Sequence, residues 1–215
     1  MMTERTGFRA LTIPVADGLE ILVYESADVN EGLAAAVDGA DVDPYAAIVW
    51  PTALAVAREL GVRVGPGVRV LDVGAGTGLC ALTAARLGAE SVALDHDRRA
   101  LDRIREAAAA QGVEVATSPF DLLGPEALPA ADVVVFADLL YEAELAQAAA
   151  RRVAEAAAGG ARVVVGDPGR VGRATFERTL SLLGWEAEFR DVPVQLPGER
   201  SPSMVGIAWI PAEPR

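Results

Sequence analysis

Residues 69 to 78 run Arg-Val-Leu-Asp-Val-Gly-Ala-Gly-Thr-Gly, an apolar stretch with one acid, Asp72, that opens into glycines at Gly74, Gly76 and Gly78. A strand ending in a glycine-rich turn lets a ligand approach backbone where a side chain would collide, and the following helix presents unpaired N–H groups. The spacing separates two ligand classes. A dinucleotide site needs Gly-x-Gly-x-x-Gly, and the third position of that register is Leu79, whereas Gly-x-Gly-x-Gly is complete. An acid two residues before the first glycine also suits a cationic ligand: S-adenosylmethionine (SAM) carries an ammonium and a sulfonium where NAD carries a pyrophosphate. The loop therefore reads as a SAM site.

For that loop to work, a strand must end at Gly74 and a helix must begin near Gly78. The surrounding pattern supplies both. Arg69 to Val73 reads as a strand, Gly78 to Leu87 as a helix, Ser91 to Asp95 as a strand and Arg98 to Ala110 as a helix. The alternation continues through strands at 113–117, 132–137 and 161–166, with a helix from Glu142 to Ala158 ended by Gly159-Gly160. Strands alternating with helices give a parallel sheet covered on both faces. The end departs from this. After a helix at 173–183, strand-like stretches at 187–194 and 204–210 are joined without room for a crossover helix, so they must pair antiparallel. Upstream, residues 8 to 25 alternate around Asp17-Gly18 as a β-hairpin, Asp28 to Asp43 is acidic and alanine-rich with room for one short helix, and Trp50-Pro51 precedes a helix at 52–60 closed by Gly61. The division is an N-terminal extension, 1–49, and a ligand-binding domain, 50–215.

Ligands of such sheets sit beyond the carboxyl ends of the strands, at the switch point. The second strand of the alternating region ends at Asp95, about 20 residues past the glycines, where an acid accepts from ribose hydroxyls. The competing role is capping the helix that starts at Asp97-Arg98. His96 reads as a solvent-edge residue near the ribose rather than as a base. Past the next strand come Phe120, Asp121 and Leu122, at the place where methyltransferase folds commonly set an acidic side chain against the adenine amino group and an apolar one against its ring. The fourth strand ends at Asp138-Leu139-Leu140-Tyr141, beside the methyl to be transferred, with helix capping and simple packing as the alternatives for Asp138 and Tyr141.

Composition narrows the setting. The chain has 215 residues, room for one large domain, and one cysteine, Cys80, which reads as a buried thiol. No signal-type or membrane-spanning apolar run is present, and a cytoplasmic location is expected. The formal net charge of −12 argues against sequence-independent nucleic-acid binding and favours basic partners. Between Arg9 and Arg58 there are only acids among the charged residues, read as a solvated face. All 19 basic residues are arginine, so the protein cannot methylate a lysine of its own.

Trp50-Pro51 ahead of a helix, the Leu71–Leu79 loop, the Asp138-x-x-Tyr141 box and Gly166-Asp167-Pro168-Gly169-Arg170 together resemble the seven-strand protein N-methyltransferases of family 16, in the branch of the electron-transfer-flavoprotein β-subunit lysine methyltransferases. The resemblance covers roughly residues 44 to 192. It implies an α/β, Rossmann-like class I methyltransferase fold: a seven-stranded, mostly parallel sheet with a terminal antiparallel hairpin, plus the N-terminal hairpin and helix extension. It also implies that Trp50 borders the cofactor, that Asp72 and the glycines hold the methionine moiety, that Asp95 holds the ribose, and that Asp138 and Tyr141 line an amine channel. Ala46 and Thr52-Ala53 depart from the branch at the entrance. The expected activity is SAM-dependent methyl transfer to a protein lysine, with a small-molecule N- or O-methyltransferase as the alternative and no metal required. A silent SAM-binding scaffold is the reading from another class, and the intact acids argue against it.

Overall fold

The computed structural model describes residues 7–27 and 45–212. The acidic segment Asp28–Asp43 and its expected helix lie outside them. In chain order the elements are β1 (Phe8–Ala16), β2 (Leu19–Ser26), α1 (Pro51–Leu60), β3 (Arg69–Val73), α2 (Leu79–Arg86), β4 (Glu90–Asp95) and α3 (Arg98–Ala110). They continue with β5 (Ala116–Pro119), β6 (Val133–Ala137), α4 (Ala143–Ala158), β7 (Arg162–Asp167), α5 (Arg173–Leu182), β8 (Arg190–Val194) and β9 (Ser203–Ile210). Seven strands form one sheet in the order β5-β4-β3-β6-β7-β9-β8, and β1 and β2 form a separate antiparallel pair. Strands β3 to β7 run parallel, while β9 pairs antiparallel with both β7 and β8. The expected fold class is the one observed.

The period-2 pattern explains the layering. Along β3 and β6, Val70, Val133 and Val135 face the core shared with α1, α2 and α3, whereas Leu71, Val73, Val134 and Phe136 face the core under α4 and α5. On this count Asp72 belongs to the Val70 face, beneath α2. Pro51 sits in the first turn of α1, where its missing N–H costs no helix bond, and Asp97 caps α3 by accepting from the Arg99 N–H at 2.9 Å.

Two boundaries differ from the sequence expectation. The strand expected at 113–117 lies at 116–119, because Val113 and Val115 pack onto the core from the unpaired segment after the Gln111-Gly112 turn and the ladder with β4 is made by the residues after them. The strand expected at 187–194 starts at Arg190, with Ala187 and Phe189 packing on the α4/α5 side outside the ladder. Both segments carry apolar residues that reach the core without strand pairing.

The hairpin is stitched to the rest of the fold. Ile13, Ile21 and Val23 are fully buried in the core of α1 to α3, and the Gln111 amide at the end of α3 both accepts from the Leu22 N–H, at 3.0 Å, and donates to its carbonyl, at 2.9 Å. Glu25 is buried at the other end. Its Oε2 accepts from Arg9 Nε and Nη2 at 3.1 and 2.7 Å, while its Oε1 accepts from the Val49 N–H at 3.1 Å. The hairpin thus holds the backbone that leads into α1. No helix among the described residues is long and apolar enough to cross a membrane.

Gly78 begins α2 with φ of 75°, and a Cβ there would stand 2.5 Å from Ile104 Cγ1 on α3. Gly78→Ala therefore combines a left-handed backbone with overpacking and is expected to lower stability by about 2 to 4 kcal/mol. A denaturation midpoint within 0.5 kcal/mol of wild type, on that ~0.5 kcal/mol scale of surface changes, would contradict it.

Candidate functional site

Chain order reverses on either side of β3, between β4 and β6, and the crevice above that point holds a cleft of about 310 Å³. Its lining includes Trp50, Asp72, Gly74, Gly76, Asp95, His96, Phe120, Asp121, Leu122, Asp138 and Tyr141. Every candidate read from the sequence is there except Gly78, whose bare α-carbon serves the α2/α3 packing described above.

The glycine loop is pinned to the end of β4. The Ala75 N–H donates to the Leu94 carbonyl at 3.0 Å and the Gly76 N–H donates to Asp95 Oδ2 at 2.8 Å. Asp95 Oδ1 accepts from the Asp97 N–H at 2.9 Å, and the exposed His96 ring stands 3.4 Å from that same oxygen. The helix cap is Asp97, so Asp95 is left to face the cleft. At Gly74, with φ of 66°, a Cβ would come within 2.6 Å of Leu139 Cδ2, which shows how closely the loop and the β6 exit approach.

Asp72 is 2% exposed, and its Oδ2 accepts from the Ala81 N–H in the first turn of α2 at 2.9 Å. Burial is the main influence on it. Loss of water raises its pKa from 3.8 to about 7, against the lowering effect of the Ala81 bond and with a further push from Asp95. Burial likewise pushes up the neighbouring Cys80 thiol, which makes it a packing group rather than a nucleophile. A cation placed in the cleft would favour the Asp72 carboxylate.

Further lining comes from the β6 exit and from α1 with the residues just before it. Asp138 continues the ladder by donating its N–H to the Gly166 carbonyl at 3.0 Å, then turns with φ of 62°, the one non-glycine residue with positive φ among those described. Its carboxylate is doubly held: Oδ1 accepts from Arg170 Nε at 2.8 Å and Oδ2 from Thr52 Oγ1 at 3.1 Å. It does not cap α4, whose N-cap position is Glu142. The Arg170 guanidinium lies 5.2 Å from the Trp50 ring centroid, and Trp50 Nε1 donates to the Tyr45 carbonyl at 3.1 Å. At the far end Phe120 is buried under the Arg152 guanidinium, 5.2 Å from its ring, and Asp121 Oδ1 accepts from the Leu123 N–H at 2.9 Å.

Sequence reading missed Thr52 and Arg170 as partners of Asp138. They are 86 and 32 residues away, and the only signal was the occurrence of Arg170 in the Asp-Pro-Gly-Arg segment. Tyr45, Ala46 and Leu139 of the lining were not singled out as ligand contacts either.

Residues 70–160 match the family model described as "Methyltransferase domain". The matched segment runs from β3 through α4 and contains the glycine loop, Asp95, Asp138 and Tyr141. Its relatives differ in what their names say they modify. A 59-residue stretch is 51% identical to the ribosomal protein L11 methyltransferase of Symbiobacterium thermophilum, covering 27% of this chain and 19% of that protein. The chain spans about a fifth to a quarter of the length of the curated relatives it matches. Among solved structures, the Pyrococcus abyssi tRNA (uracil-54, C5)-methyltransferase, in complex with S-adenosylhomocysteine (SAH), aligns with a TM-score of 0.60 at 15% identity over 95% of this chain and 44% of that one. The magnesium protoporphyrin IX methyltransferase of Synechocystis PCC 6803, also with SAH, aligns with a TM-score of 0.52 at 19% identity over 74% and 81%. These two share the fold.

Proposed function

We propose that the chain transfers a methyl group from SAM to a lysine side-chain amine of a protein substrate, as the family-16 branch with the flavoprotein β-subunit methyltransferases does. The observation that carries this reading is the Asp138 and Tyr141 pair in the lining of the same cleft as the glycine loop. The cleft suits SAM. A fully buried carboxylate with a raised pKa is costly without a cation, and the ammonium and sulfonium of SAM are cations. Asp72 with Gly74 and Gly76 would hold the methionine part, Asp95 the ribose with His96 at its edge, and Phe120, Asp121 and Leu122 the adenine, while Trp50 borders the cofactor. Bound there, SAM supplies a methyl group activated by positively charged sulfur. Asp138 and Tyr141 would align the acceptor and help exclude water, and neither needs to be the base, since solvent can take the proton.

The net charge of −12 favours a basic protein partner over a nucleic acid. A second reading, a small-molecule N- or O-acceptor, is favoured by the departures at Ala46 and Thr52-Ala53, with Ala46 and Ala53 in the cleft lining. Incubation with methyl-labelled SAM and a cell extract separated into protein and small molecules distinguishes them. Label on protein lysine supports the first reading, label on small molecules the second, and label in neither sinks both. The ribose assignment has its own test: Asp95→Ala is expected to weaken SAM and SAH alike by about 1 to 3 kcal/mol in calorimetry, through lost charge-assisted hydrogen bonds. Unchanged affinity for both would remove Asp95 from the ribose site.

A further inference from the structure

Asp138 is an unusual group to receive a cation, because it already has one. Arg170 holds Oδ1 at 2.8 Å, Thr52 holds Oδ2, and the left-handed backbone of Asp138 keeps the carboxylate in that clamp. We propose that Arg170 is a positioning residue that neutralises Asp138, so that the acceptor enters beside Asp138 and Tyr141 as an uncharged amine rather than as an ammonium. The proposal rests on the amine reading above and names the protonation state of its substrate.

The electrostatics run in one direction. An ammonium arriving at Asp138 meets a carboxylate already paired with the Arg170 guanidinium, and that like charge favours the neutral form of the amine. Arg170 itself stays charged, its pKa raised by the Asp138 hydrogen bond against the lowering effect of burial, with a further push from the charges of Asp138 and Asp167. Asp167 does not compete for it as a free anion. It is fully buried and accepts from Arg173 Nε at 2.7 Å and from the Gly169 N–H at 2.8 Å. The neutral amine is the form that reacts: its lone pair makes the new N–C bond as the C–S bond breaks, the S–C electrons stay on sulfur, and the surplus N–H proton leaves for solvent.

The test compares wild type with Arg170→Gln and Arg170→Lys, using the lysine-bearing protein fraction that wild type labels, at saturating acceptor across pH about 6 to 10. Calorimetry with SAH runs in parallel. In Arg170→Gln the unpaired carboxylate should stabilise the bound ammonium, moving the acid limb of kcat up by about one pH unit. That reads as roughly a tenfold loss near pH 7 which shrinks as pH rises, with the limb restored by lysine and SAH affinity within about threefold. The cofactor-side groups Asp72, Asp95 and His96 are the same in every variant. A loss equal at all pH values, or a limb that stays in place, overturns the proposal. If Arg170→Gln fails to bind SAH, Arg170→Met carries the same test with the same expected shift, and an unmoved limb there overturns it too. A wild-type protein that labels no amine sinks the function reading itself, and this is seen before any variant is made.

Discussion

Replacing Asp138 by alanine is expected to cut turnover about 100-fold or more while leaving SAM affinity within about 1 kcal/mol, the pattern of an interaction made to the acceptor and not to the cofactor. The clamp makes the variant informative in a second way. Alanine at a φ of 62° and an orphaned Arg170 both cost stability, so part of any loss could come from the fold. Asp138→Asn separates the two, since asparagine tolerates the left-handed backbone. It should keep the melting temperature near wild type and still lose most of the turnover, whereas Tyr141→Phe should lose less than either. Methylation of the true substrate at wild-type rate by Asp138→Asn would remove Asp138 from the acceptor wall, leaving only the SAM-site reading.

Asp72→Asn should act in opposite directions on stability and on binding. In the folded protein Asp72 keeps its proton up to about pH 7, whereas in the unfolded chain it releases it near 3.8. Between those values the folded state binds more protons, so folding loses stability as pH rises, and above about 7 the full cost remains, of order 4 kcal/mol at about 1.4 kcal/mol per pH unit. Asparagine removes that cost. The ligand-free variant should melt higher than wild type at pH about 8 and converge with it below pH about 4. Binding should fall at the same time, more for SAM than for SAH because only SAM carries the sulfonium, by about tenfold in their ratio. Melting curves that coincide at every pH would refute the burial argument, and equal losses for the two ligands would refute the electrostatic one.

What could be read from the sequence was local. Asp72, the glycines and Asp95 lie within one strand-helix-strand unit, so their spacing already fixes which strand end each occupies. The antiparallel finish was legible for a topological reason: too few residues separate 194 from 203 for a crossover. The Asp138 clamp was hidden because its parts lie on three elements and only the sheet order brings α1 and the β7 exit to the same wall. The shifted start of β5 was hidden for a different reason: Val113 and Val115 have strand-like spacing but reach the core from unpaired backbone. Sequence pattern reports burial well and hydrogen-bonded pairing less directly.

The Glu25 carboxylate gives the hairpin a bearing on engineering of the molecule. One oxygen is committed to Arg9 near the chain start and the other to Val49, immediately before Trp50 of the cleft wall. Disturbing Arg9 is expected to reach the ligand-binding wall through Glu25 and Val49, so an exchange of acceptor preference between proteins of this fold should carry the hairpin, residues 8–26, together with Val49 and Trp50.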